Sequence, residues 1–309
     1  MRFLTPSIVA VALAASAAAG CSASSSTDAA DHVGTISAVG AENEYANVLS
    51  QIGGRYVKVS AIVDNPNTDP HTFEASPQVG QEVSSAQLIV QNGVGYDSWI
   101  NKIESSSPAS GRKVIVVQTL LRLPDSTPNP HLWYAPTTMP AVAKAIASDL
   151  SSLQPAHRSY FHANLKRFQA SLAPWLTAIA QFKAQHHGVT AATTEPVADY
   201  LLTAMGISNS TPFTFQADIM NGVDPSPQDI ALENGLFSKH KVDLFAYNQQ
   251  VVDALTTSIR HNAIRDRVPV VGVYETMPTP GYDYQSWMLA ETRAIEKAVT
   301  SGISTQKLR

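Results

Sequence analysis

Short runs of β-branched and aliphatic residues recur along this chain, each followed by a stretch with helical periodicity, and the whole rhythm occurs twice. In the first half the expected strands are Gly34–Val39, Tyr56–Val63, Leu88–Gln91 and Lys113–Val117. In the second they are Val189–Thr193, Val242–Tyr247 and Val268–Tyr274. Strands separated by helical segments read as parallel sheets covered by helices. Between the halves, from about Pro155, come Phe161, Leu165, Phe168, Leu172, Trp175, Ile179 and Phe182 at three- and four-residue steps. That spacing predicts one long amphipathic helix, with Gly188 as its stop. A helix of about 30 residues spans about 45 Å, enough to cross a lobe. The fold expected is therefore α/β, with two lobes, each a helix-flanked and mostly parallel sheet, joined by one long helix. The boundaries expected are 33–150 for the N-terminal lobe, 151–187 for the connecting helix and 188–309 for the C-terminal lobe.

A length of 309 residues suits about two domains, and 44% hydrophobic residues can fill two cores. Lys plus Arg number 21 against 25 for Asp plus Glu, a net charge of −4, which argues against a nucleic-acid partner. A single cysteine excludes a disulfide framework and a zinc site built on thiolates.

That cysteine, Cys21, follows Arg2, an apolar run from Phe3, and the small residues Ala18-Ala19-Gly20. This is the layout of a secretory signal. Its uncharged core, Ile8 to Gly20, is shorter than the roughly 20 residues of a membrane-spanning helix. Ala18-Ala19-Gly20-Cys21 resembles a bacterial lipobox, the alternative being an ordinary signal with an incidental cysteine. The expectation is a signal peptide over 1–20, lipidation at Cys21 and a Ser-rich flexible tether over 21–32. The mature chain would then sit on the extracytoplasmic face of the cell membrane, held by its lipid anchor.

Of nine histidines, His157, His162, His186 and His187 lie on or at the end of the long helical segment among polar residues. His32 falls in the tether, His240 follows Ser238-Lys239, and His261 sits in a charged turn. All seven read as exposed or structural. His71 and His131 differ, since each follows a proline, precedes an aromatic within two residues, and lies in a loop after an expected strand. Open parallel sheets place ligand sites at such strand ends. A neutral imidazole on a stiff loop beside an aromatic wall suits a metal ligand.

The second half offers carboxylates at comparable places. Glu195 precedes Pro196 at a strand-to-helix junction, either as a ligand or as an acid favoured by a helix N-terminus. Asp283 lies in a Pro/Gly loop before an expected helix over Gln285–Val299, as a ligand or an N-cap. Two imidazoles from one lobe and two carboxylates from the other would enclose a divalent cation.

These residues together resemble the metal-binding lipoproteins of ABC importers for zinc and manganese, the cluster A-I solute-binding proteins. The resemblance runs over nearly the whole mature chain. It is carried by Gln51 to Val59, Asp69-Pro70-His71 through Pro77, and Asn92-Gly93 within Leu88 to Trp99. Asn129-Pro130-His131-Leu132-Trp133, Pro225 to Ile230 and Tyr274-Glu275-Thr276 follow in the family's order. It implies that His71 and His131 are the two N-terminal-lobe ligands, Glu195 the third and Asp283 the fourth. Glu275 is the alternative fourth ligand, otherwise an outer-shell or packing residue. The His-rich acidic loop of many zinc members is missing before His131. The resemblance further implies a monomer that carries Zn²⁺ or Mn²⁺ as transported ligand and delivers it to the membrane permease of an ABC importer, without enzymatic chemistry.

The main rival is a secreted metallohydrolase using the same ion, against which no His-Glu-x-x-His or Gly-x-Ser-x-Gly pattern is present. An adhesin-like surface protein is a second rival, for which no basic, repetitive or heavily aromatic stretch speaks.

Overall fold

The computed structural model of the chain describes Met1 and residues 34–67 and 69–308. The expected signal peptide beyond Met1, Cys21 and the tether lie outside the described residues.

Eight strands form two sheets. β1 (Ile36–Glu42), β2 (Val57–Val63), β3 (Leu88–Gln91) and β4 (Lys113–Val116) lie in the order β2-β1-β3-β4. β5 (Thr190–Thr193), β6 (Ser208–Asn209), β7 (Leu244–Asn248) and β8 (Val270–Val273) repeat that order as β6-β5-β7-β8. Every pairing is parallel, with Val39 opposite Ile89 in the first sheet and Phe245 opposite Val270 in the second. Helices cover both faces, so β3, β7 and β8 are buried at every residue, which is why they read as continuous apolar runs. Edge strand β2 exposes Lys58 instead. The two-residue β6 is too short to leave a pattern in the sequence.

In each sheet the chain steps outward from its first strand and then crosses to the other side. A switch point therefore lies between β1 and β3, and another between β5 and β7. Crevices at such points, beyond the carboxyl ends of the strands, are where open α/β sheets hold ligands.

The apolar stripe expected after Pro155 is buried throughout, from Phe161 to Phe182. The single long helix is not found: helix Arg158–Ser171 and helix Ala173–Gln185 meet at Leu172. Pro174 is the reason, for it has no N–H to offer the Ala170 carbonyl and its ring crowds that group. The helix stops at Gln185, and Gly188 follows three residues later with φ +71.

One apolar core runs through both halves. It joins Ala38, Leu88 and Val90 of the first sheet to Ala191, Leu244 and Val271 of the second, by way of Trp133, Trp175, Tyr284 and Trp287. Buried hydrogen bonds cross the same boundary. Asn43 exchanges two bonds of 2.9 Å with the backbone of Met277, Tyr284 Oη donates to the Trp133 carbonyl at 2.6 Å, and Tyr134 Oη to that of Tyr274 at 2.7 Å. Removing the Trp175 side chain, fully buried and bonded to Thr292, would cost about 3–5 kcal/mol. Among the described residues no helix is long and apolar enough to cross a membrane.

Candidate metal centre

The carboxyl ends of the strands converge on one cluster. His71 follows β2 in the short turn Pro70–Thr72, whose first N–H groups are held by Asp69: its carboxylate accepts from His71 N at 2.8 Å. His131 follows β4, just before the turn Leu132–Tyr134, and is fully buried. Glu275 follows β8 and is fully buried too. One ligand atom from each of His71, His131 and Glu275 lies within 4.8 Å of the others, the one group of this kind among the described residues.

The tautomer of His131 is set by Asn129. Asn129 Nδ2 donates to the Pro196 carbonyl at 2.7 Å, which leaves Oδ1 to accept from His131 N at 3.0 Å. His131 Nδ1 lies 2.8 Å from the same Oδ1 and must therefore carry a hydrogen. Burial lowers the pKa of His131, keeping it neutral, so its Nε2 presents a bare lone pair. That lone pair faces Glu275 Oε2 at 3.1 Å. Two acceptors at that distance repel unless a cation lies with them, which is the electrostatic signature of a cation site.

In the metal-free chain a proton on His71 answers part of that demand. His71 Nε2 stands 3.0 Å from Glu275 Oε2, in ion-pair range though not aligned as a hydrogen bond. Burial pulls the His71 pKa down, but the Glu275 carboxylate outweighs it and holds the imidazole up at about 9. Burial pushes the Glu275 carboxyl up, but the charged His71 imidazole beside it overcomes that and holds it well below the usual carboxylate range. Tyr96 closes the site from β3: its hydroxyl donates to Glu275 Oε2 at 3.0 Å, and its ring lies edge-on to His71 with centroids 5.1 Å apart.

Glu195, after β5, is 2% exposed. Its Oε1 accepts from Asn248 Nδ2 at 2.9 Å, while its Oε2 has no partner among the described residues. Burial, reinforced by Glu275, raises its pKa well above the carboxylate range. Glu195 lies outside the 4.8 Å group of His71, His131 and Glu275 and is tied to Glu275 through the shared Asn248 amide. Its buried, unpartnered oxygen has the chemistry of a further cation ligand.

Asp283 is not part of this cluster. It is the N-cap of the helix Tyr284–Ser301, with Oδ1 accepting from Ser286 N at 2.9 Å and its own N–H donating to Ser286 Oγ at 3.0 Å. The reciprocal capping box uses the side chain for the helix, and Glu275 stands at the end of the neighbouring strand instead. Asn129, Tyr96 and Asn248 are further members of the site. Asn129 sits in the Asn-Pro-His motif and Tyr96 in the Asn92–Trp99 block, whereas Asn248 lies one residue past the expected strand Val242–Tyr247 with no motif around it.

The family model described as "Zinc-uptake complex component A periplasmic" matches residues 39–298. The manganese-binding lipoprotein MntA of Bacillus subtilis is 25% identical over 171 residues, covering 53% of this chain and 55% of that protein. The chain thus spans about half the length of the relative it matches. The periplasmic zinc-binding protein TroA from Treponema pallidum superposes with a TM-score of 0.72 at 17% identity, over 87% of this chain and 100% of that one. The protein FpvC from Pseudomonas aeruginosa, solved with Mn²⁺, gives 0.70 at 18% identity, over 86% and 98%. At these identities the two structures establish the two-sheet fold.

Proposed function

Because the chain belongs to the family of periplasmic zinc-uptake complex A components, we propose that it captures a divalent transition-metal ion, Zn²⁺ or Mn²⁺, and delivers it to the permease of an ABC importer. The observation that carries this reading is the approach of His131 Nε2 and His71 Nε2 to Glu275 Oε2 at 3.1 and 3.0 Å in a buried pocket. His71, His131 and Glu275 are the ligands of the cargo ion, and Glu195 is the fourth through its unpartnered Oε2. Two carboxylates cancel the charge of M²⁺, so the loaded site carries no excess charge into the interior. Relatives named as manganese-binding and structures named as zinc-binding or solved with Mn²⁺ support this cargo class. The same relatives give no support to the hydrolase reading.

Lipidation at Cys21 would keep the protein beside its permease, in keeping with the lipoprotein named among its relatives. The core shared between the two halves suits a carrier that opens little, since separating the lobes would expose Trp133, Trp175 and Trp287 to water. The experiment is competition titration of purified protein with Zn²⁺ and Mn²⁺. Wild type is expected to bind and His131→Ala to lose affinity by orders of magnitude; equal affinity in the two would overturn the reading.

A further inference from the structure

Asn248 lies at the end of β7, fully buried, and its one amide nitrogen reaches both carboxylates of the site. Nδ2 donates to Glu195 Oε1 at 2.9 Å and to Glu275 Oε1 at 2.7 Å. The amide cannot be turned over, because Oδ1 accepts from Gln250 N at 3.0 Å, and a flipped oxygen would face two carboxylates. Its backbone is fixed as well, with Asn248 N donating to Thr194 Oγ1 at 3.0 Å. Both N–H bonds of the amide are thereby used, one on each glutamate.

The consequence lies in the other oxygens. Each Oε1 is turned to Asn248, so each glutamate presents Oε2 to the ion, with the Tyr96 hydroxyl donating to that oxygen of Glu275 at 3.0 Å as well. Glu275 Oε2 is the oxygen that faces both imidazoles. Glu195 Oε2 is the one without a partner. We propose that Asn248 is the specificity-determining positioning residue of the site: by holding Oε1 of both glutamates it keeps them monodentate and so selects Zn²⁺ over Mn²⁺. The inference rests on the proposed metal-capture function and deepens it to a choice of metal.

Two imidazole nitrogens and two single carboxylate oxygens make four donors, the number that structural zinc sites take. Mn²⁺ favours about six donors, largely oxygen, and reaches that number in proteins through two-oxygen carboxylates and water. Asn248 withholds the former. The burial of His131, Glu195 and Glu275, each no more than 2% exposed, leaves little room for the latter. The general order of affinities among these ions favours zinc in the same direction.

The test has two arms. X-ray absorption at the zinc edge on the wild-type protein needs no variant, and is expected to give four nitrogen or oxygen neighbours at about 2.0–2.1 Å. Five or six neighbours, with a carboxylate bound through both oxygens, would overturn the proposal. In the second arm, Zn²⁺ and Mn²⁺ affinities are measured by competition for wild type and Asn248→Ala. The ratio of zinc to manganese affinity is expected to fall by about tenfold or more in the variant, as released carboxylates offer second oxygens to Mn²⁺. A variant in which both affinities fall by the same factor would make Asn248 a merely structural residue and sink the proposal, with metal capture left standing. Wild-type protein that binds neither ion would remove metal capture and the selectivity built on it together.

Discussion

His131 Nδ1 and Asn129 Oδ1 lie 2.8 Å apart, and this one hydrogen bond decides which nitrogen of His131 faces the metal centre. Asn129 is in turn fixed by its bond to the Pro196 carbonyl in the other half of the chain. Replacing Asn129 with Ala frees the ring to take the other tautomer and to rotate. Metal affinity is expected to drop by about 10–100-fold, the usual cost of losing an outer-shell partner. Titration of the variant checks this, and unchanged affinity would mean that packing alone orients the ring.

Protons compete with the metal in a direction fixed by His71. Its pKa is held up at about 9, so in the metal-free protein at neutral pH it is charged, and an incoming cation must displace that proton. Binding should therefore weaken as pH falls below about 9, by about tenfold per pH unit for one proton released. The raised pKa of Glu195 adds to the release. Calorimetry in buffers of different ionisation enthalpy counts the protons: at least one at neutral pH is expected, and none would contradict the assignment. The same raised pKa stabilises the metal-free fold below the ordinary histidine value, and that contribution is lost as pH rises through about 9.

The two acids that sequence reasoning weighed for the fourth ligand separate cleanly by mutation. Glu275→Ala should abolish tight binding. Asp283→Ala should leave metal affinity unchanged while lowering stability by about 1 kcal/mol through loss of the helix cap. Paired metal titrations and denaturant melts distinguish them, and the reverse pattern would return Asp283 to the metal.

Much of this was legible beforehand, and the exceptions have physical reasons. Leu88–Gln91 is legible to the residue because a strand buried on both faces leaves an unbroken apolar run. His71 and His131 stood out because a proline and an aromatic flank each of them. A helix N-cap and a metal ligand both call for an acid in a loop between strand and helix, which is why the sequence leaves Asp283 and Glu275 both open; in the structure Asp283 caps the helix Tyr284–Ser301 and Glu275 stands at the end of β8. The break at Leu172 was hidden by an apolar stripe that continues across Pro174 with little change of phase. Asn248 gave no signal, since its role depends on two carboxylates distant in sequence.

Away from the metal, Glu233 is fully buried, and burial raises its pKa to about 8. It folds protonated, so its stabilising contribution is present at low pH and is lost as pH rises from the ordinary glutamate value through about 8. Glu233→Gln keeps the shape and removes the ionisation. The variant should gain stability over wild type in alkaline buffer and little in mild acid, as read by denaturant unfolding at the two conditions. A difference independent of pH would show that Glu233 is charged in the folded protein.

The central claim, that His71, His131, Glu195 and Glu275 together hold the transported ion, is tested most directly by anomalous diffraction from crystals of the zinc-loaded protein. One strong peak is expected at about 2.0–2.1 Å from Nε2 of His71 and of His131, with Oε2 of both glutamates at about 2.0–2.2 Å. A peak bound by Asp283, or one from which Glu195 or Glu275 is absent, would contradict it.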